Sequence, residues 1–175
     1  MLAALLLAHV ATSPAEPICG PTAIVHFAEG APVDRFLIEN VSPRGWAIAG
    51  VEIALPGSAG RLVFDTVPGG AGINVAQPFV SRAGADVRLA AAPEVADGDE
   101  RLSLAFEAFP AGAAYAFTID LDDRVSAGGG TRVSGAEIAG ASVLVRFARA
   151  EGGEESHAGT FDEVARARAA SPCLS

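Results

Sequence analysis

The chain contains no lysine: its 12 basic residues are all arginines, set against 21 acidic ones for a net charge of −9. A field of that sign repels phosphate backbones and argues against nucleic acid as a partner. It favours cations wherever carboxylates gather, and elsewhere it keeps an exported protein in solution. Catalytic motifs are missing too. There is no GxSxG, no HExxH, no phosphate loop and no Cys-His pairing with free thiols. Beyond the first 15 residues the histidines are His26, within an apolar strand, and His157, in an acidic loop. Neither has the setting of a general base, so the chain reads as a binding protein rather than an enzyme. A carboxylate pair for glycoside hydrolysis, distant in sequence, stays open as the alternative. No window carries a helix-length apolar stripe of 3.6-residue period. Trp46 and Tyr115 are the only Trp and Tyr, and they read as core aromatics rather than a sugar-stacking platform.

What is present is apolar and well punctuated. Hydrophobic residues make up 50% of the chain and charged ones 19%, which excludes disorder. With 175 residues there is room for one domain and a targeting segment. Residues 1–15 read as an export signal: Leu2 to Val10 is almost unbroken apolar, and Ser13 and Ala15 supply the small pair for a cut after Ala15. The run is too short to span a bilayer, and a truncated membrane anchor or a buried strand is the other reading. Residues 16–175 then form one domain, secreted to the periplasm, the cell surface or the exterior. Cys19 and Cys173 stand at its two ends and read as a disulfide clasp; two buried free thiols are the other reading.

Alternation and turn signals predict an all-β fold, an antiparallel β-sandwich of jelly-roll type with eight to ten strands. Candidate strands are Thr22 to Ala28, Asp34 to Val41, Trp46 to Leu55, Arg61 to Thr66, Ile73 to Val80, Asp86 to Ala90, Arg101 to Phe109, Ala114 to Leu121 and Ala136 to Ala148. Phe161 to Ala169 suits a helix by composition and a closing strand by position. Pro78 marks an edge or a bulge. The stretches Ile48 to Leu55 and Ile138 to Val145 echo each other, each with a glycine where the alternation changes phase, as at a β-bulge. That echo places the two stretches at related positions in the two sheets, unless it is a coincidence of composition.

The sharpest candidate site is Phe117-Thr118-Ile119-Asp120-Leu121-Asp122-Asp123. Alternation sends Phe117, Ile119 and Leu121 to the core and puts Asp120 and Asp122 on the other face, about 6.5–7 Å apart at Cα, with Asp123 in a following turn. Such carboxylates repel one another unless a cation lies between them, and calcium suits an all-oxygen ligand set. A solvated strand end is the plainer reading. Asp97-Gly98-Asp99-Glu100 reads as turn chemistry. Asn40-Val41-Ser42 matches the glycosylation sequon.

Taken together, Phe36-Leu37-Ile38-Glu39-Asn40-Val41-Ser42, Gly45-Trp46, Leu62-Val63-Phe64-Asp65, Gln77-Pro78-Phe79, Phe117 to Asp123 and Val133-Ser134-Gly135-Ala136-Glu137-Ile138-Ala139-Gly140-Ala141 resemble the bacterial proteins called "aggregation factor core", named for likeness to the core subunit of sponge aggregation factors. The likeness runs in order through most of residues 16–175. It implies an extracellular adhesion or glycan-binding module that meets a cell-surface glycan or protein, with calcium as a cofactor. The alternatives are a jelly-roll enzyme acting on extracellular polysaccharide and a structural surface protein without a small ligand.

Overall fold

Strand alternation builds the molecule almost throughout. The computed structural model describes residues 18–30, 33–72, 76–123 and 133–173, which form twelve strands and no helix. One five-stranded antiparallel sheet runs in the order β12 (Arg166–Ala170), β1 (Thr22–Ala28), β2 (Arg35–Asn40), β8 (Ala114–Thr118), β5 (Val80–Ala83). A second runs β11 (Glu154–Thr160), β10 (Ser142–Arg149), β3 (Trp46–Ala54), β7 (Arg101–Ala108), β6 (Arg88–Leu89). A two-stranded ribbon of β4 (Leu62–Asp65) and β9 (Asp120–Asp123) completes the strands. This is an all-β antiparallel sandwich.

Every second residue of the inner strands is buried, because a pleated strand sends successive side chains to opposite faces. Phe36, Ile38, Tyr115 and Phe117 of the first sheet and Ile53, Leu104, Phe106 and Phe147 of the second join one core cluster. The Phe106 ring meets Tyr115 edge-on at 5.3 Å, and Phe36 stacks on Phe117 at 5.0 Å. Such ring pairs contribute about 0.5–1.5 kcal/mol each beyond the area they bury. Trp46 and Tyr115 are core residues as expected, 9% and 0% exposed.

The cysteines are joined. Cys19 and Cys173 form a disulfide across 5.1 Å at Cα, at a sequence separation of 154. The clasp extends the β1–β12 pairing, which continues outward through Ser171 N–H donating to Pro21 O at 3.0 Å. Phe161 to Ala169 therefore ends in a closing strand. The export signal expected over residues 1–15 lies outside the described residues. Among the described residues no helix is long and apolar enough to cross a membrane.

Several boundaries differ from the sequence reading, each for a local reason. The described residues hold twelve strands, not eight to ten. Ala114 to Leu121 divides at Ile119, so that β8 stays in the first sheet while β9 leaves it to pair with β4. The strand expected from Ala136 begins only at Ser142, since Gly135 to Gly140 form turns; Gly140 has φ +90° and its α-carbon faces the Gly57 carbonyl. The edge strand expected over Ile73 to Val80 starts at Val80, just past Pro78, whose missing N–H cannot join a ladder; residues 73–75 lie outside the described set. The two echoing stretches are not equivalent positions in two sheets: β3 and β10 pair directly, and the bulge falls where Gly50 faces Arg146 and Ile48 faces Phe147. The sequon is closed off, because Asn40 is 0% exposed and its amide donates to Phe109 O at 2.9 Å. His157 sits in β11 rather than a loop, 2.9 Å from Glu155.

Candidate functional site

The β4–β9 ribbon gathers carboxylates that are far apart in the chain. Its register sets Asp65 opposite Asp120 and Val63 opposite Asp122, so Asp65, Asp120 and Asp122 share one face. Leu62, Phe64 and Leu121 share the other and plug into the core. Asp123 belongs to that second face: it is the last residue of β9, not a turn residue, and its backbone N–H donates to Asp122 Oδ1 at 2.7 Å. Of the three sequence candidates, the ribbon therefore puts Asp120 and Asp122 together and turns Asp123 away from them.

Two loops add acids. Asp34, 2% exposed, accepts N–H groups from Gly30 and from Leu121, both at 3.1 Å, and so ties the start of β2 to β9. Asp97, read from sequence as a turn residue, accepts from Thr66 at 2.9 Å, Val67 at 3.2 Å and Ala71 at 2.6 Å, and hydrogen-bonds the Asp65 carboxyl. Those donors hold the Asp97 carboxyl below its ordinary range. The other acids move the opposite way. Burial, then the hydrogen bond and charge of Asp97, push Asp65 up to about 6. Burial pushes Asp34 up to about 6 against its two backbone donors. Asp120 rises to about 7 through burial and the charges of Asp34, Asp65 and Asp122. Below about pH 6, Asp65 carries the proton of the Asp65–Asp97 pair.

The ribbon also has unmet hydrogen-bonding capacity. Asp65 is 2% exposed, yet its Oδ1 has no partner; outside the ribbon the same holds for the buried Gln77 Oε1 and for Thr118 Oγ1 at the end of β8. An unsatisfied buried polar atom costs about 1–3 kcal/mol. Gln77 is stitched into the same place, its N–H donating to Asp65 O and its carbonyl accepting from Asp120 N, both at 3.1 Å. All the donor atoms here are oxygens, the ligand class of a hard cation rather than of zinc. Among the described residues, no three His, Cys, Asp or Glu side chains are arranged around one point as a metal centre.

The 69–72 turn lies against these acids. A Cβ at Gly72 would overlap Asp65 Oδ2 and Asp122 Oδ2, and one at Gly70 would overlap the Asp97 carboxylate. Gly72→Ala is accordingly expected to destabilise the fold by about 1–3 kcal/mol, the usual cost of overpacking. Urea unfolding checks this; a variant as stable as the parent shows that the turn yields freely.

Sequence reasoning missed Asp34, Asp65 and Asp97 as members of the group. No protein-family model matches the chain, and no curated protein matches its sequence.

Proposed function

We propose that the protein is an exported binding module of the cell surface, an adhesion or glycan-binding β-sandwich that uses calcium at its acidic ribbon. The observation that carries the cation is the unpartnered, buried Asp65 Oδ1 among carboxylates whose protons are held to about pH 6–7. A divalent cation relieves both the repulsion and the orphaned oxygen. Asp65, Asp120 and Asp122 are the carboxylates that would hold it, beside the Gln77 backbone that bridges Asp65 and Asp120. Asp123 falls out of the set expected from spacing, because it sits on the opposite ribbon face. Export is supported by the disulfide, a bond that persists in oxidising compartments. The adhesion and glycan elements rest on the resemblance to the aggregation factor core proteins.

Calcium at millimolar concentration is expected to raise the melting midpoint by several degrees over protein in chelator, since a ligand that binds only the folded state stabilises it. Asp120→Asn/Asp122→Asn removes that increment. No shift with calcium eliminates the cation and leaves glycan binding to be judged alone on immobilised polysaccharides.

One observation favours a second reading. A half-buried carboxyl held near pH 7 beside other carboxylates is what a general acid requires, and Asp120 is such a group. Release of reducing sugar from a bound polysaccharide, lost in Asp120→Asn, would mark an enzyme of the extracellular polysaccharide-active kind.

A further inference from the structure

The first sheet has an outer face that departs from the charge of the whole. Alternation points Arg35, Arg166 and Arg168 away from the core, between buried Phe36 on one strand and Ala167 and Ala169 on the other. Arg82 lies in the same pleat, directly opposite Ala116. Register then gives a straight lateral row: Arg82, Ala116, Leu37, His26, Arg166. The row crosses five strands, about 19 Å at about 4.8 Å per step. Arg168 stands two residues along β12, about 7 Å from Arg166 at Cα. The one acid on these strands that shares the face is Glu39, which already holds His26 at 3.0 Å. Among the described residues no side-chain ion pair is formed by Arg35, Arg82 or Arg166. Between Arg82 and Arg166 stand the buried Ala116, the half-buried Leu37 and His26, the last paired with Glu39.

At one end of the row is a recess. Arg166, Arg168, Thr160 and Asp162 line a cavity of about 330 Å³ beside the crossing of β11 and β12. One oxygen of Asp162 is spoken for, its Oδ1 accepting the backbone N–H groups of Val164 at 3.0 Å and Arg166 at 2.9 Å. The pocket thus joins two guanidinium groups and a hydroxyl to a single, internally engaged carboxylate.

We infer that this arginine-bearing sheet face docks an anionic polysaccharide, one acidic group entering the Arg166–Arg168 recess and the chain running along the row toward Arg82. The inference rests on the glycan-binding reading above and names its ligand class and surface. Charge complementarity carries it. Guanidinium presents a planar fork that matches carboxylate or sulfate bidentately, and it is more weakly hydrated than an ammonium. The distant acids that make the net charge −9 are screened beyond about 8 Å at physiological salt, so the local face decides the contact.

The test uses the full disulfide-bonded protein and immobilised polygalacturonate, heparin, dextran and polyglutamate. Expected are retention on polygalacturonate or heparin that weakens steeply with salt, none on dextran, and at least a tenfold loss in Arg82→Ser/Arg166→Ser/Arg168→Ser. The control Arg88→Ser/Arg101→Ser, which removes two exposed ion-paired arginines of the other sheet, stays within twofold. Arg82 and Arg166 are exposed and Arg168 is half-buried, so Arg82→Ser/Arg166→Ser is tested beside the triple variant and the melting midpoint of each is measured, which separates lost binding from lost fold. Binding to dextran, or acidic-glycan binding that survives the triple variant, keeps the glycan reading and overturns this face. Retention on no polysaccharide overturns both. Equal retention on polyglutamate assigns the face to acidic protein partners. Concentration-dependent association abolished by the triple variant assigns it to a second copy of this chain; either result overturns the inference.

Discussion

Replacing Cys19 and Cys173 together by alanine lowers the melting midpoint by about 10 °C or more. The bond closes a loop of 154 positions, and in the chain-entropy account a loop of that size restrains the unfolded ensemble by about 5 kcal/mol. For a domain of 150 residues or more, each kcal/mol corresponds to about 2–4 °C. The loss concentrates at one place, because β12 is a five-residue edge strand whose sheet pairing is to β1 alone. Once the clasp is gone, β12 has its ladder and the buried Ala167 and Ala169 to hold it, two small side chains with little area to bury. Calorimetry on the double variant and on reduced parent protein checks this, and hydrogen exchange shows β12 opening first. A fall of under about 3 °C would mean that packing at β11–β12 and not the covalent bond holds the ends.

The second large effect is a stability that declines as pH rises from acid to neutral. Asp34 and Asp65 are raised to about 6 and Asp120 to about 7, all above the unfolded value of 3.8. Between about pH 4 and pH 7 the folded chain therefore binds more protons than the unfolded one. By linkage, the contribution of these acids is fully present below the unfolded value and is lost as pH rises through 6 to 7. In chelator, the melting midpoint should fall by several degrees between pH 5 and pH 8. Asp97 has the opposite sign: its lowered carboxyl contributes at neutral pH and is lost only in acid. Asp120→Asn mimics the protonated side chain at every pH. It should raise the midpoint at pH 8, leave it nearly unchanged at pH 5 and flatten the slope between. A variant that is less stable than its parent at pH 8 would show that the Asp120 charge is already compensated.

How far the sequence foretold this depended on the distance over which each residue acts. Alternation marked out β1, β2, β3, β7 and most of β10 as strands, because the period of a pleated strand follows from nearest neighbours alone. The clasp was legible too, from two cysteines at opposite ends of the domain. The break at Ile119 was not: Phe117, Ile119 and Leu121 keep perfect alternation across it, and only pairing with β4 takes β9 out of the first sheet. The early end of the strand expected from Ala136 likewise depends on the close approach of Gly140 to Gly57, a contact between segments more than 80 residues apart. The acidic ribbon was half legible. Asp120 and Asp122 stood out by spacing on one strand, whereas Asp34, Asp65 and Asp97 join them only through register and loop closure. Asp97 carried the one available signal, an acidic Asp-Gly turn, but turn chemistry explained it fully on its own.

The clasp has a topological consequence. With β12 paired to β1 and Cys19 bonded to Cys173, the folded backbone is effectively a ring. A single proteolytic cut at an exposed turn, such as Glu151-Gly152-Gly153, opens the ring without releasing a fragment, and the nicked molecule stays one covalent piece until it is reduced. Anything joined to either end also departs from the same corner. A tether there therefore holds the domain by one edge of its first sheet, where β12 pairs with β1.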